Sequence, residues 1–131
     1  MDERLVSFFK TMTPYIHPFL RVKASPIHGL GVFTSGSLPK GLEIERAGIL
    51  SIGQDVLPDY TFGWPQNSKW EEFVIALGYG SYYNHSSEPN IEWISDEVNR
   101  LLVFRTLREI APGEELLSNY GDSYWVDKEP K

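Results

Sequence analysis

The chain has 131 residues, a length that suits one domain with a single core. With 41% hydrophobic and 23% charged residues, its composition excludes extensive disorder outside the tails, and the absence of cysteine excludes disulfides, thiolate zinc sites and cysteine nucleophiles. A net charge of −6 argues against general nucleic-acid binding and favours Lys- or Arg-rich peptides as partners, although charge that merely aids solubility is the simpler explanation.

No stretch approaches the length of a membrane span, and the acidic start MDERL does not fit a secretory signal peptide. The sequence therefore predicts a soluble, intracellular protein, cytoplasmic or nuclear, without a membrane partner.

Residues 1–18 are expected to form an N-terminal extension. Its apolar side chains recur at helix-like spacing: Leu5, Phe8, Phe9, Met12 and Ile16. Pro14 limits how far a helix could run. The pattern predicts a short amphipathic helix that packs on the body of the domain or on a second subunit.

Short β-like runs follow this extension. They cover residues 19–24, 31–34, 42–51 and 101–107. LPKG (38–41) and IAPG (110–113) are predicted turns, because Pro fixes φ and Gly accepts a positive φ.

One helix is predicted at residues 68–77. Ser68 and Glu71 form a capping-box pattern, and Gly78 can end the helix. Its expected core face consists of Trp70, Phe73, Val74 and Leu77. Residues 55–67 are expected to be a loop-rich aromatic segment, so the predicted class is mainly β with one or two short helices.

The stretch SPIHGLGVF (25–33) is the first with a possible chemical role. Gly29 and Gly31 flank Leu30, so the backbone can approach a ligand without interference from a Cβ atom. Alone this pattern is weak, because a tight turn between strands explains it more often.

The second stretch, GYGSYYNHSSEPN (78–90), places tyrosines before Asn84 and His85. These two side chains could be ligands, bases or structural hydrogen-bonding groups. No metal site is expected, because the three histidines of the chain are scattered. Taken alone, the pair is best explained as satisfying buried backbone groups in an irregular turn.

The third stretch is GEELLSNYGDSYW (113–125). By themselves Glu114 and Glu115 suggest a solvated pair after a turn, and Tyr120 suggests packing. In this order, however, Gly-Leu-Gly, NHSSEPN and GEELLSNYG resemble the SET domain of protein lysine methyltransferases. The resemblance covers residues 19–125, with 126–131 as a short tail, and implies small curled β-sheets with a knot-like C-terminal substructure.

The resemblance implies S-adenosylmethionine as the cofactor and lysine in a protein, possibly histone-like, as the substrate. Tyr120 aligns with the catalytic tyrosine of the family. The implied cofactor-binding residues are Gly29, Leu30, Gly31, Tyr60, Asn84, His85 and Trp125. Tyr82, Tyr83 and Ser118 are expected to border the lysine channel, with the roles of Tyr79, Tyr82 and Tyr83 in channel or core left open.

Two departures from the family pattern bear on mechanism. The chain lacks the cysteine-rich zinc clusters that flank many SET domains, so residues 121–127 or a second subunit of a homodimer must complete the channel. Where the family often has Phe or Tyr two residues before the catalytic tyrosine, this chain has Ser118. That smaller side chain suggests space for di- or trimethylation, unless Tyr82, Tyr83 or Trp64 fills it.

Two further choices remain open from the sequence. The first concerns Glu92, Asp96 and Glu97, which could line a groove for a Lys-rich peptide or form a solvated hairpin tip. The second concerns activity: a catalytically silent SET-like module that binds a protein or peptide is the alternative to an enzyme. The presence of the motif residues favours the enzyme, and a structural β-protein without a ligand is the weakest alternative.

Overall fold

The computed structural model describes residues 13–52, 61–64 and 72–119. In chain order the strands are β1 (Tyr15–Ile16), β2 (Leu20–Ala24), β3 (Leu30–Thr34), β4 (Glu43–Ser51), β5 (Thr61–Trp64), β6 (Glu72–Ala76), β7 (Asn84–His85), β8 (Ile91–Asp96), β9 (Leu101–Thr106) and β10 (Glu115–Ser118). These ranges contain no helix, and hence none long and apolar enough to cross a membrane.

The larger sheet has the strand order β5-β6-β4-β9-β8, and all its pairs are antiparallel. The long strand β4 pairs with β9 along one edge, and its other edge is shared by β1 and β6. This sheet carries most of the core, including Ile44, Leu102 and Phe104, each no more than 1% exposed.

The smaller sheet has the order β2-β3-β10-β7. β2 and β3 form an antiparallel hairpin, and β10 pairs antiparallel with β3. On its other edge β10 pairs in parallel with β7, so that Leu117 lies opposite Asn84 and Ser118 opposite His85. The two motifs that lie far apart in sequence therefore run side by side, as the SET resemblance implies.

Both predicted Pro-Gly turns are confirmed, and they contact each other. Gly41 and Gly113 have φ of 79° and 88°, a region that glycine adopts without a steric penalty. Leu38 and Ile110, the first residues of the two turns, form an isolated antiparallel bridge with both backbone hydrogen bonds at 2.9 Å. Both side chains are fully buried, so the turns close one end of the core.

The four predicted β runs are confirmed, with bounds that shift by only one residue. The predicted helix at 68–77 is wrong over its described part, which is strand β6. Val74 and Ala76 point inward with period two, whereas Leu77, expected on the core face, is 50% exposed. Pairing with β5 on one side and β4 on the other decides the conformation of a run that contains the β-favouring Phe73, Val74 and Ile75.

Two smaller expectations also need correction. Thr61–Trp64 is a strand within the segment predicted to be loop-rich, and Trp64 is 3% exposed in the core. In the predicted N-terminal helix, Tyr15–Ile16 is a strand that pairs with Glu45 and Arg46. Residues 1–12, which hold the rest of that predicted helix, lie outside the described residues.

Candidate functional site

The site is organised by the side chain of Asn84, at the start of β7. Its amide nitrogen lies 3.1 Å from the carbonyl oxygen of His28 and 3.2 Å from that of Leu30. It lies 2.9 Å from a carboxylate oxygen of Glu115 in β10. Asn84 is 6% exposed and thereby joins the Gly-Leu-Gly loop, the Asn-His pair and the C-terminal motif at one point.

The amide oxygen of Asn84 has a different environment. Within the described part of the chain it accepts no hydrogen bond, and the contacts of this side chain are all made by its nitrogen. A side-chain amide carries acceptor capacity on its oxygen as well as two donors on its nitrogen. The loop is therefore held by the donors of Asn84, and its acceptor is left for a donor of a ligand.

Glu115 holds the same loop from a second direction. Its two carboxylate oxygens accept from the hydroxyl of Ser25 at 2.9 and 3.0 Å. The oxygen of that hydroxyl in turn accepts from the backbone N–H of Ile27 at 3.0 Å. The loop that joins β2 to β3 is thus fixed by side chains from β7 and β10, as well as by the Ser25 N–H that donates to the Gly29 carbonyl at 2.8 Å.

The two glycines of the loop are required for different reasons. Gly29 has φ of +47°, and no atom of the described residues lies within 4 Å of the position that a Cβ atom would take. At Gly31 a Cβ atom would overlap a carboxylate oxygen of Glu115 and lie 3.0 Å from the Asn84 amide nitrogen. Glycine is therefore favoured at position 29 by the positive φ, and at position 31 because the two polar side chains approach the backbone there.

Asn90 holds the segment after β7 against β10. Its amide nitrogen donates to the Glu115 carbonyl at 2.9 Å, and its amide oxygen accepts from Leu117 N–H at 2.7 Å. Its own backbone N–H donates to the Leu117 carbonyl at 3.0 Å. The side chain of Asn90 thus makes hydrogen bonds to β10 of the kind that the backbone of a neighbouring strand would make. These bonds keep residues 84–90 beside the C-terminal motif.

His85 and Ser118 lie opposite each other across the parallel pair β7–β10. Partial burial lowers the pKa of the His85 imidazole, which favours its neutral form at pH 7. Ser118 is 3% exposed, and its hydroxyl oxygen has no hydrogen-bond partner among the described residues. A buried hydroxyl without a partner is uncommon in a folded chain. Here it marks a polar position that a bound molecule could satisfy.

The tyrosines before Asn84 have distinct environments. Tyr83 is 2% exposed, packs on Phe104 with ring centroids 4.5 Å apart, and donates its hydroxyl to Glu45 at 2.7 Å. Tyr79 packs partly against the core, while Tyr82 is 40% exposed. The ring of Tyr83 therefore lies in the core and that of Tyr82 at the surface; their predicted channel roles stay predictions.

The acidic residues after the motif lie in a β-hairpin. Glu92 in β8 is 3.4 Å from the Arg105 guanidinium, and Asp96 accepts from both nitrogens of Asn99 at the hairpin turn. Glu97 is exposed in that turn. The geometry gives Glu92 and Asp96 structural partners, and a peptide groove along them remains a prediction.

Three predicted site residues, Tyr60, Tyr120 and Trp125, lie outside the described residues. Of the predicted cofactor-binding residues that are described, the structure brings Gly29, Leu30, Gly31, Asn84 and His85 together at the junction of β3, β7 and β10. Within the described ranges no group of three His, Cys, Asp or Glu side chains is arranged to hold a metal ion.

Sequence reasoning missed three residues that shape this site: Ser25, Asn90 and Glu115. Glu115 was expected to be solvated, yet its carboxylate accepts from Ser25 and Asn84. No local pattern could have found the pair Ser25–Glu115, because the two residues are 90 positions apart. Asn90 lies within the quoted NHSSEPN stretch, whose conformation was expected to be an irregular turn.

Comparison with known proteins gives consistent matches. The family model of the SET domain matches residues 29–121. A histone-lysine N-methyltransferase of Schizosaccharomyces pombe, specific for lysine 37 of histone H3, is 33% identical over 125 residues, which cover 88% of this chain and 82% of the relative.

Two further matches differ in extent. A SET-domain-containing protein of Acanthamoeba polyphaga mimivirus is 46% identical over 43 residues, or 33% of this chain and 16% of the relative. The crystal structure of a Plasmodium falciparum protein described as a candidate histone methyltransferase superposes with a TM-score of 0.67 at 29% identity. It covers 84% of this chain and 99% of that chain.

Proposed function

The chain belongs to the SET-domain family and is a protein-lysine N-methyltransferase, and from this premise we propose that it transfers methyl groups from S-adenosylmethionine to lysine in a histone-like protein. One observation carries the proposal. The amide nitrogen of Asn84 contacts the His28 and Leu30 carbonyls and the Glu115 carboxylate, which joins all three sequence motifs at one site.

The residues present fit such a cofactor. Among the described residues no atom occupies the position of a Cβ atom at Gly29, and the oxygen of Asn84, whose nitrogen contacts the Leu30 carbonyl, is an acceptor without a donor. Within the part of the chain that the structure describes, the hydroxyl of Ser118 is a second polar group without a hydrogen-bond partner. We assign the loop Gly29, Leu30 and Gly31 to cofactor contact through backbone, and Asn84 and His85 to cofactor hydrogen bonds.

When bound, S-adenosylmethionine supplies a methyl group on a positively charged sulfur. The residues of the chain must align the lysine amine, exclude water and favour its neutral form, because free lysine has a pKa of about 10.4. Burial in an aromatic channel disfavours the ammonium ion. Tyr82 is placed at the surface beside the motif, where an entering side chain could contact its ring.

In this assignment Tyr120 orients the lysine amine through its hydroxyl, and Tyr60 and Trp125 complete the cofactor site. These roles follow from the family motif. The substrate is assigned by the same reasoning: the relative from Schizosaccharomyces pombe is named for histone H3, and the net charge of −6 favours a basic protein. A homodimer that completes the lysine channel remains a prediction.

The test is incubation of the purified protein with labelled S-adenosylmethionine and a histone mixture, followed by mass spectrometry of the products. Label on lysine that is lost in Tyr120→Phe is the expected result. The control is Glu43→Gln, which changes a half-exposed carboxylate on β4 paired with Arg46 and should leave transfer unchanged. Cofactor binding by calorimetry without transfer to any protein would favour the silent module instead.

A further inference from the structure

The buried carboxyl group of Glu45 has no role in the site described above. Glu45 lies in β4, is 0% exposed and faces Phe104 of β9 and Ile16 of β1 across the sheet. One carboxylate oxygen accepts from the hydroxyl of Tyr83 at 2.7 Å, and the other accepts from the backbone N–H of Tyr79 at 2.9 Å. Both donors belong to the turn that leads to Asn84.

Burial disfavours the charged form of Glu45, although two donors contact its oxygens. Among the described residues both of its partners are neutral donors, and no cation pairs with it. The neighbouring Arg46 directs its guanidinium elsewhere, to Glu43 and the Thr13 carbonyl. Burial therefore raises the pKa of Glu45 to about 7, against the opposing effect of the two hydrogen bonds. A carboxylate so placed costs stability at neutral pH, and a role in shaping the site accounts for its position.

The turn at residues 78–83 is shaped around this carboxyl group. Gly78 has φ of +68°, and a Cβ atom there would lie 2.5 Å from the Glu45 carboxylate. A Cβ atom at Gly80 would overlap that of Ala76 and lie 3.3 Å from the Phe104 ring. The turn therefore lies as close to β4 and β9 as its backbone allows, with Glu45 bonded to its second and last residues.

We propose that Glu45 is a positioning residue for the methyltransferase: its carboxylate holds Tyr79 and Tyr83, and through Tyr83 it fixes Asn84 at the cofactor loop. Tyr83 directly precedes Asn84, whose side-chain amide holds the His28 and Leu30 carbonyls. A shift of the Tyr83 backbone would move that amide by a similar distance. The effect on cofactor affinity rests on the proposed function.

The charge state of Glu45 matters because both of its oxygens face donors. A protonated carboxyl or a glutamine amide has a donor where the carboxylate had an acceptor, so one of the two contacts must rearrange. Among the described residues the titratable group that contacts Glu45 is the phenol of Tyr83, and burial raises the pKa of Tyr83 well above its usual value. Tyr79 contacts Glu45 through its backbone N–H. In the described strands β9 and β1, the residues opposite Glu45 are Phe104 and Ile16, which carry no charge.

The experiment compares wild type with Glu45→Gln, Tyr83→Phe and the double variant, with Glu43→Gln as a control on the same strand. Calorimetry measures the Kd for S-adenosylmethionine between pH 6 and 8.5. The ratio of variant to wild-type Kd is used because titration of the cofactor itself cancels in it. Thermal unfolding at each pH establishes that the variants are folded.

For Glu45→Gln we expect a ratio of about three to ten at pH 8.5, the effect of one impaired hydrogen bond. The ratio should fall towards one at pH 6, where the wild-type carboxyl is protonated. In the Tyr83→Phe background the further loss from Glu45→Gln should shrink, because both changes break the same contact. A ratio of one throughout, or one that does not change with pH, overturns the proposal.

A second readout is independent of the cofactor. The side-chain amide resonances of Asn84 in the free protein should titrate near pH 7 in wild type and lose that transition in Glu45→Gln. Asn99, whose amide donates to Asp96 in the β8–β9 hairpin, is the internal control. If wild type binds no cofactor while the Asn84 transition depends on Glu45, the proposed function fails and the positioning role stands. If the transition survives Glu45→Gln, the positioning role fails.

Discussion

The side chains of Asn84 and Glu115 meet at 2.9 Å directly beside Gly31, at a place where no Cβ atom could fit. Asn84 belongs to the strand that carries the Asn-His pair, and Glu115 begins β10, the strand within the C-terminal motif. The glycine, the amide and the carboxylate therefore form one packed unit. Substitutions of Gly31, Asn84 and Glu115 should therefore have effects that can be measured separately.

Gly31→Ala should destabilise the fold and weaken cofactor binding. The new methyl group would overlap a Glu115 oxygen and crowd the Asn84 amide, and overpacking of this kind typically costs about 1–3 kcal/mol. Urea denaturation and calorimetry with S-adenosylmethionine measure the two effects. Gly48→Ala is the matched control, because its methyl group would meet only Leu77 at 3.6 Å. Unchanged stability in Gly31→Ala would contradict the packing described here.

Asn84→Asp should destabilise the fold, although the two side chains are nearly equal in size. It replaces the donor nitrogen with an oxygen, so that two carboxylates face each other and the His28 and Leu30 carbonyls lose their donor. We expect a loss of about 2–4 kcal/mol in unfolding free energy from several broken hydrogen bonds, measured by urea denaturation.

Adding Glu115→Gln to Asn84→Asp tests the contact itself. The new amide can donate to the new carboxylate, so the pair should recover part of the lost stability. The two carbonyls would still lack their donor, and recovery should be incomplete. Glu114→Gln is the control, since Glu114 pairs with Arg108 and does not contact Asn84. A double variant no better than the single one would show that Asn84 and Glu115 do not interact in solution.

The predictable part of the fold came from local patterns. Alternation and β-branched residues located β2, β3, β4 and β9, and Pro-Gly turns were found because Gly41 and Gly113 need positive φ. The run at 72–77 could not be assigned this way. A short apolar run fits a helical face and a strand equally well, and only pairing with β4 and β5 decides between them.

The site could be predicted only for residues that belong to the three motifs, because the order of those motifs indicated the family. The Gly-Leu-Gly loop and the Asn-His pair were found because, with the C-terminal motif, they resemble a family in sequence. Glu115 and Glu45 could not be found, because a glutamate after a turn or within a strand is ordinary in composition. Their roles depend on contacts with Ser25 and Tyr83, 90 and 38 positions away in the chain.

Glu45 should make the stability of the fold fall as the pH rises. Its folded pKa of about 7 lies above the unfolded value of 4.5, so between these values the native state binds more protons than the unfolded state. This contribution is fully present below pH 4.5 and is lost as the pH passes 7, an effect of about 3 kcal/mol. Urea denaturation at pH 5, 6, 7 and 8 should show a shallower decline in Glu45→Gln.

Glu114 provides a control of opposite sign for that measurement. Hydrogen bonds from Arg108 and the Ala111 backbone lower its pKa, so its contribution is present above pH 4.5 and is lost as the pH falls through the folded value. Glu114→Gln should therefore remove stability at pH 8 and little at low pH. Parallel pH profiles for wild type and Glu45→Gln would contradict a raised pKa at Glu45.

The size of Ser118 should set how many methyl groups the enzyme adds. Ser118 is buried opposite His85, and its hydroxyl has no hydrogen-bond partner among the described residues. We expect a larger side chain at this position to reduce the space for methyl groups on the substrate lysine. We expect wild type and Ser118→Ala to form di- or trimethyllysine, and Ser118→Phe to stop at monomethyllysine. Mass spectrometry of histone products over a long time course gives the distribution, after thermal unfolding has established that Ser118→Phe is folded. Wild-type product that remains monomethylated at the longest times would refute this assignment, because the serine would then leave no usable space.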